Sequence, residues 1–520
     1  MAPEERDAPR TLRPTNETTR GGGPRRRPIF TFLLALAGRV RRRCATRCPK
    51  PVSSRHRAVP AYRGRPHRSA VPARALRAAN SPRMTHTLRA ALPEIRPLMA
   101  LTAPIVAGFA SSTLIAVVDT VMIAPLGTVP LAAASLTASA LILFYSAIYG
   151  LLNASGIRIS EKLGAEAPGE VRAAMRAGLF LAVLAGIAGS AAMALLFRAL
   201  PLLGLPPDVL AALGPYWMTM AMTLLPWAVG IVLIGALNAE ARPWQGFAVG
   251  AVQLAANVPL NWALIYGAGL GLLGAGLASL AATLVSLPVA WWFIGRIARR
   301  RVARTAPLIP ELAAQWRAGW PMAVSFTAEG GGYALAGLML GALGAAALAA
   351  NQIVQSVMAV LYMLPLGLAT ATSLRVSFAR GENAPERLRP ILTASILIVA
   401  AWMLLFILLL VLGGRGFARL LSDDPEVIAL ATTLFFVLAL MQVFDGVQSS
   451  SMGALRGLLD TRWPMALTLG GYWLVALPAA WWLAFPGGLG APGIWLGYTI
   501  GVALAAVALP WRFWRKTRPR

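Results

Sequence analysis

Apolar runs of about twenty residues recur along the chain from Pro97 onward, separated by short polar segments. Each is long enough to cross the ~30 Å hydrocarbon core of a bilayer as a helix. Twelve spans are predicted, at 98–120, 131–154, 174–197, 214–237, 246–267 and 273–295, then at 319–342, 346–370, 390–413, 427–450, 464–485 and 491–511. The tenth is unusual because Asp445 lies in its interior. Helical spacing puts Gln442, Asp445, Gln448 and Ser449 on one stripe. An aspartate at that depth costs roughly 2.5–3.5 kcal/mol to insert, so it has to face a polar cavity or a partner.

The spans repeat. Shifted by 217 residues, helices 1–2 fall on helices 7–8: Pro104 meets Pro321, Leu126-Gly127-x3-Leu131-Ala132-Ala133 meets Leu343-Gly344-x3-Leu348-Ala349-Ala350, and Gly150 meets Gly367. Arg158-x-Ser160 meets Arg375-x-Ser377 and Gly164 meets Gly381. Further on, Gly235-Ala236-Leu237 meets Gly453-Ala454-Leu455 at an offset of 218, and Pro259-x2-Trp262 meets Pro478-x2-Trp481. Six helices is an even number, so both halves start on the same side and are parallel repeats about an axis along the membrane normal. The expected fold is an all-α polytopic membrane protein of twelve transmembrane helices in two parallel six-helix repeats, with a cleft between them. The expected divisions are an extension at 1–83, a first lobe at 84–306 and a second at 307–520.

Charge sets the orientation. Twenty-four Arg and Lys of the membrane body fall on one side of this alternation, and only Arg198, Arg415 and Arg419 on the other. The positive-inside rule then puts both termini in the cytoplasm. Composition agrees with a membrane body, at 57% hydrophobic residues and a mean hydropathy of +0.63. The net charge of +28 is uneven: residues 1–83 carry +17 of it. That stretch is read as a disordered, basic, Pro/Arg-rich extension ahead of Met84. Its one apolar run, Ile29–Ala37, is too short to span. Both cysteines (Cys44, Cys48) and all three histidines (His56, His67, His86) precede the first long run, and their spacing does not match a zinc finger. The membrane body therefore has no thiol, disulfide or imidazole chemistry. Neither a structural metal, a cofactor nor a nucleic-acid partner is expected.

Three acids lie inside spans: Asp119 on helix 1, Glu329 on helix 7 and Asp445 on helix 10. No Lys or Arg is expected at their depth. Unpaired carboxylates in a low dielectric must take up protons or hold a cation. That requirement suits a proton- or sodium-coupled carrier of cations. Tyr333 stands four residues after Glu329 and is the expected donor to it, while Gly330-Gly331-Gly332 loosen or closely pack the helix there. Asn257 and Asn261 share a face of helix 5 and form, with Asp119, a candidate amide-and-carboxylate site. Asn351 and Gln355 repeat that spacing on helix 8. Buried amides of this kind also join helices together.

These residues resemble the MATE family of multidrug and toxic compound extrusion transporters over residues 90–515. The resemblance is carried by Val118-Asp119-Thr120, Asn257-Val258-Pro259-Leu260-Asn261-Trp262, Glu329 fifteen residues before Gly344, Asp445-x2-Gln448 and Gly453-Ala454-Leu455-Arg456-Gly457-x2-Asp460-Thr461. The pattern is similar to the NorM-type branch, with Glu on helix 7 and Asp on helix 10. The DinF-type branch pairs an Asp of helix 5 with the one on helix 1, and here Asn257 and Asn261 stand on helix 5 instead. The resemblance implies two lobes in a V, alternating access by rocking, and efflux of cationic or amphipathic drugs in exchange for Na⁺ or H⁺. It implies ion coupling at Asp119, Glu329 and Asp445, with Na⁺ at Glu329 and Asp445 if sodium is the ion. The candidate substrate and cation cavity is lined by Asn257, Asn261, Tyr333, Asn351, Gln355, Gln442 and Gln448. Two departures are Met441, a tyrosine in some relatives, and the three glycines after Glu329. The implied setting is the bacterial inner membrane, as a monomer exporting small organic cations.

Two rivals remain. A flippase for lipid-linked precursors would need basic residues in its cavity, and none is expected. An intramembrane aspartyl protease would need two aspartates in short Gly-flanked motifs. Asp445-Gly446 matches weakly and Asp119 not at all. The topology is directly testable. Reporters placed after Gly127 or Gly487 should read periplasmic, and reporters after Thr305 or at the C-terminus cytoplasmic. A cytoplasmic signal after Gly127 would break the first hairpin of the twelve-span arrangement.

Overall fold

The computed structural model describes residues 83–204, 206–298 and 306–518. The expected extension therefore lies outside the described residues but for Arg83, as do Arg299, Arg300, Arg301 and Arg304. Twelve helical spans follow one another: α1 (Arg83–Ile123), α2 (Thr128–Gly164), α3 (Pro168–Phe197), α4 (Pro207–Ala239), α5 (Pro243–Asn261), α6 (Gly271–Ala298), α7 (Leu308–Ala342), α8 (Ala345–Gly381), α9 (Pro385–Leu421), α10 (Pro425–Gly457), α11 (Arg462–Ala484) and α12 (Gly490–Lys516). Proline opens α3, α4, α5, α9 and α10, where its missing N–H has no partner to lose. Eleven of the spans are long and apolar enough to cross a membrane. The exception, α7, has the length at 35 residues, but Glu329 and its three glycines dilute it.

Each repeat is built the same way. In the first, α4 is central and packs on α2, α3 and α6, while α5 lies against α1 and α6. In the second, α10 is central among α8, α9 and α12, and α11 lies against α7 and α12. Both α5 and α11 change to a π-helical turn, at Trp262–Gly267 and Leu469–Ala476. Each turn adjoins the proline of the repeated Pro-x2-Trp motif, which cannot donate to the helical ladder. The first hairpin of each repeat closes on a glycine, Gly127 and Gly344, with φ of 111° and 110°, a region that favours glycine.

The repeats meet through α1, α2 and α3 on one side and α7, α8 and α9 on the other. At the basic end α2 and α8 cross in close contact. There Gly164 lies on the carbonyl of Phe378 and Gly381 on the carbonyl of Glu161, so that any Cβ at either glycine would collide with backbone. Ser160 Oγ donates to the carbonyl of Leu374 across the same crossing (2.8 Å).

Beside this crossing the repeats exchange ion pairs. Arg158 of α2 donates to both oxygens of Glu311 on α7 (2.9 and 2.5 Å) and to Glu161 (2.8 Å). The mate of this pair, 217 residues away at each member, is Arg375 of α8 with Glu94 of α1. Arg387 joins Glu94 as well, through Nε (3.1 Å) and Nη2 (3.0 Å). Glu94 and Glu311 are each 8% exposed. Each half thus holds the other by one glutamate at the start of its first helix. Loss of one partner from a pair this buried costs ~3–5 kcal/mol. Arg158→Glu should therefore lower the unfolding temperature of the purified protein sharply, and adding Glu311→Arg should recover part of the loss. Equal instability of the single and double variants would show that the pair does not bind the repeats together.

Candidate functional site

Two polar clusters interrupt the apolar interior, one per repeat. In the first, Asp119 of α1 meets Asn257 and Asn261 of α5 and Ser279 of α6. The two asparagines stand one helical turn apart, so both amides reach the same carboxylate. Asp119 Oδ1 accepts from Asn261 (2.6 Å) and Asn257 (3.1 Å), and Oδ2 accepts from Ser279 Oγ (3.0 Å). Asn261 also donates to Asn257 Oδ1 (3.1 Å). Both carboxylate oxygens are satisfied, and Asn261 Oδ1 is the cluster's one buried atom without a partner. One turn along α5, Gln253 donates to Thr283 of α6 (3.0 Å) and carries the polar stripe onward.

That stripe borders a deep cavity, about 1100 Å³ of space including its open mouth, between α1, α2, α4, α5 and α6 with α8 at one wall. Trp227, Phe247 and Tyr149 give it aromatic walls, and Asn153, Gln253 and Thr370 give it polar points. No Asp, Glu, Lys or Arg lines it. None of the candidate cavity residues read from the sequence lines it either.

The second cluster is organised around α10. Asp445 is 3% exposed and Gln442 1%, and Gln448 is buried beside them. Asp445 Oδ2, both amide atoms of Gln442 and Gln448 Oε1 have no hydrogen-bond partner among the described residues. Gln448 Nε2 donates to Tyr472 of α11 (2.9 Å). Glu329 on α7 accepts from Tyr362 of α8 (3.3 Å). It lies near enough to Asp445 for the two charges to act on each other. Asn351, Gln355 and Tyr333 line a small neighbouring cavity with Trp495 and Tyr498. Asn351 Oδ1, Trp495 Nε1 and Tyr498 OH are also buried and unpartnered. Native interiors hold few such atoms, and most of those here lie on α8, α10 and α12 of the second repeat. Carboxylate and amide oxygens are the donors a hard cation prefers. The described residues hold no group of three His, Cys, Asp or Glu side chains fit for a transition metal.

Several sequence expectations are corrected. Tyr333 does not donate to Glu329. Its ring stacks on Tyr498 (centroids 5.2 Å apart), and the donor is Tyr362. The glycines after Glu329 receive aromatic side chains of the opposite wall. A Cβ on Gly332 would lie 2.8 Å from Tyr498 OH, and one on Gly331 would lie 3.3 Å from the Trp473 ring. Arg456 is not a loop residue: α10 runs on to Gly457, and Arg456 is 8% exposed. One guanidinium is therefore embedded after all. Ser279, Tyr362, Tyr472 and Tyr498 were missed. Spacing could have found two of them, because Tyr362 continues the Asn351, Gln355 stripe of α8 and Ser279 heads a Ser279, Thr283, Ser286 stripe on α6.

The MatE family model matches twice, at residues 104–263 and again at 321–482, once in each repeat. The chain belongs to the MatE family. The chain is 33% identical to the multidrug resistance protein NorM of Burkholderia vietnamiensis over 431 residues, covering 80% of this chain and 93% of that relative. It is 33% identical to a probable multidrug resistance protein NorM of Deinococcus radiodurans, covering 82% and 96%. Among solved structures, a multidrug resistance MATE family transporter of the MOP superfamily in an outward-facing conformation superposes with a TM-score of 0.75 at 20% identity, covering 82% of this chain and 97% of that one. A eukaryotic MATE transporter gives 0.74 at 22%, covering 82% and 99%. The NorM-like member of the MatE family seen here thus has the family's twelve-helix, two-repeat architecture.

The two clusters should respond oppositely to apolar substitution. Gln442→Leu removes an amide with no partners and should leave the unfolding temperature unchanged or raised, whereas Asn261→Leu strips Asp119 of a charge-assisted bond worth about 1.5–3 kcal/mol. Thermal unfolding at fixed pH in choline buffer measures both. Equal losses would mean that Gln442 is held by the protein as firmly as Asn261.

Proposed function

We propose that this MatE protein is a cation-coupled secondary antiporter that exports cationic and amphipathic drugs from the bacterial cytoplasm by alternating access. It sits in the inner membrane as a monomer with both termini cytoplasmic, needs no cofactor, and uses H⁺ or Na⁺ as its coupling ion. The single observation that carries this reading is the under-partnered Asp445 carboxylate, buried with free amide oxygens beside Glu329. The names of the NorM relatives support the substrate class, multidrug export.

The coupling follows from charge. Glu329 and Asp445 share a site, and two carboxylates there cannot both stay ionised cheaply without a cation between them. A drug cation and the coupling ion then compete for the same negative charge. Each lowers the other's affinity, which makes exchange obligatory. The charge-free aromatic cavity of the first repeat suits the apolar body of an amphipathic drug. In the described conformation ion pairs join the repeats at the basic end, and alternating access by rocking requires them to part. A lipid-linked pyrophosphate would need a basic cradle. Arg456 is a single guanidinium lying over a phenylalanine ring, which does not provide one.

The test is ethidium transport into inverted vesicles, with Na⁺ and pH gradients imposed separately. One of the two gradients should drive uptake. Glu329→Gln or Asp445→Asn should reduce it at least ~tenfold while the protein remains folded in the membrane, and the double variant should be no worse, because the two act as one unit. Asp119→Asn should add its own deficit as a separate site. Full ion-driven uptake by Asp445→Asn would refute the reading.

A further inference from the structure

Arg456 is a buried arginine without a protein counter-ion in contact. It is 8% exposed, yet it makes no hydrogen bond and no ion pair with any described residue. Its guanidinium lies over the ring of Phe326 on α7, with Cζ 4.3 Å from the centroid. Phe326 in turn meets Tyr149 of the first repeat edge-on at 5.3 Å. A cation–π contact is worth about 0.5–2 kcal/mol, whereas burying a charge without a counter-ion costs several. An apolar side chain of the same length would be the more stable choice at this position. On either side of the arginine, Gly453 and Gly457 press α10 against the carbonyls of Ala369 and Ser373, which fixes its position along the helix.

The nearest candidate counter-charge is Glu329, three residues after Phe326 and so one turn along the same face of α7. Its only hydrogen bond among the described residues is the 3.3 Å contact from Tyr362. The two charges are close enough to act on each other. The repeat supplies an independent argument. At the matching offsets of 217 and 218 residues the first repeat has Ser112 in place of Glu329 and Asn238 in place of Arg456. Where the carboxylate is missing, the guanidinium is missing too, so the two charges occur together in one repeat and are absent together from the other.

We propose that Arg456 is a positioning residue for Glu329, the fixed counter-charge that holds its carboxylate when the coupling ion has left. In the ion-bound state Glu329 faces Asp445 and the ion. When the ion departs, the carboxylate turns one helical step toward the guanidinium. Arg456 therefore competes with the ion, weakening its binding and speeding its release. The inference rests on Glu329 being a coupling residue, as proposed above. The groups facing Glu329 are Tyr333 on its own helix, Tyr362 of α8, Asp445 and Arg456 of α10, Tyr472 of α11 and Tyr498 of α12. Of these, Arg456 alone is a cation.

The experiment measures ethidium exchange in proteoliposomes as a function of Na⁺ concentration and of pH, for the wild type and for Arg456→Gln, Arg456→Met and Arg456→Lys. Removing the charge in Arg456→Gln should lower the half-saturating ion concentration about tenfold, as expected for a unit charge lost across a partly buried site, and should lower the maximal rate because release slows. For a proton the same shift is about one pH unit upward. Arg456→Met should show the same shift and keep the protein folded even if the glutamine variant does not accumulate. Arg456→Lys keeps the charge and should stay within about twofold of the wild type. An unchanged half-saturation in Arg456→Met, or a lysine variant shifted as far as methionine, overturns the proposal and leaves Arg456 as an inter-repeat strut. A wild type with no ion-dependent exchange would instead defeat the coupling role of Glu329 itself.

Discussion

A carboxylate inside a hydrocarbon slab must find donors, a counter-charge or a proton, and this protein answers that constraint in three ways. Asp119 is held by two amides and a hydroxyl, with both oxygens satisfied. Glu329 accepts a hydrogen bond from one tyrosine and has a guanidinium within electrostatic reach. Asp445 has no donor among the described residues, and one of its oxygens is sealed off. The helices around them follow from these needs. Two asparagines one turn apart bring α5 to α1, and the glycines after Glu329 bring the aromatic side chains of α11 and α12 to α7.

The duplicated architecture makes the contrast sharper. The repeats agree in backbone, in their π-helical turns and in the exchanged glutamate–arginine pairs that join them at the basic end. They differ in chemistry. The first keeps a saturated carboxylate next to a wide cavity without charge, and the second keeps an under-satisfied pair of carboxylates with an embedded cation. In the proposed antiport these unlike sites divide the work: the first would receive the apolar body of a ligand, and the second would select the positive charge that is carried.

Much of this was legible in the sequence because it rests on local rules. Span length gave twelve helices, and the 217-residue offset gave the repeat, including Gly164 and Gly381, whose role at the crossing of α2 and α8 is only visible in three dimensions. The grouping of Asn257 and Asn261 follows from helical spacing alone. Contacts between helices were not legible in this way. Tyr333 was the nearest hydroxyl along the chain, but Tyr362 of the next helix reaches Glu329 first. Arg456 stood beyond the apolar run and looked solvated, yet α10 continues for another two turns inside the bundle. A hydropathy pattern marks where a helix meets lipid, and it is silent about a polar residue facing other helices.

The central claim is that drug and coupling ion compete for one negative charge in the second repeat. Calorimetric titration of the purified protein with ethidium, in buffers of different ionisation enthalpy and with Na⁺ present or replaced by choline, tests it without transport. Competition predicts release of about one ion per drug bound: either protons, seen as a buffer-dependent heat, or Na⁺, seen as weaker binding when sodium is added. Binding with the same affinity and the same heat in every buffer, with or without Na⁺, would contradict it.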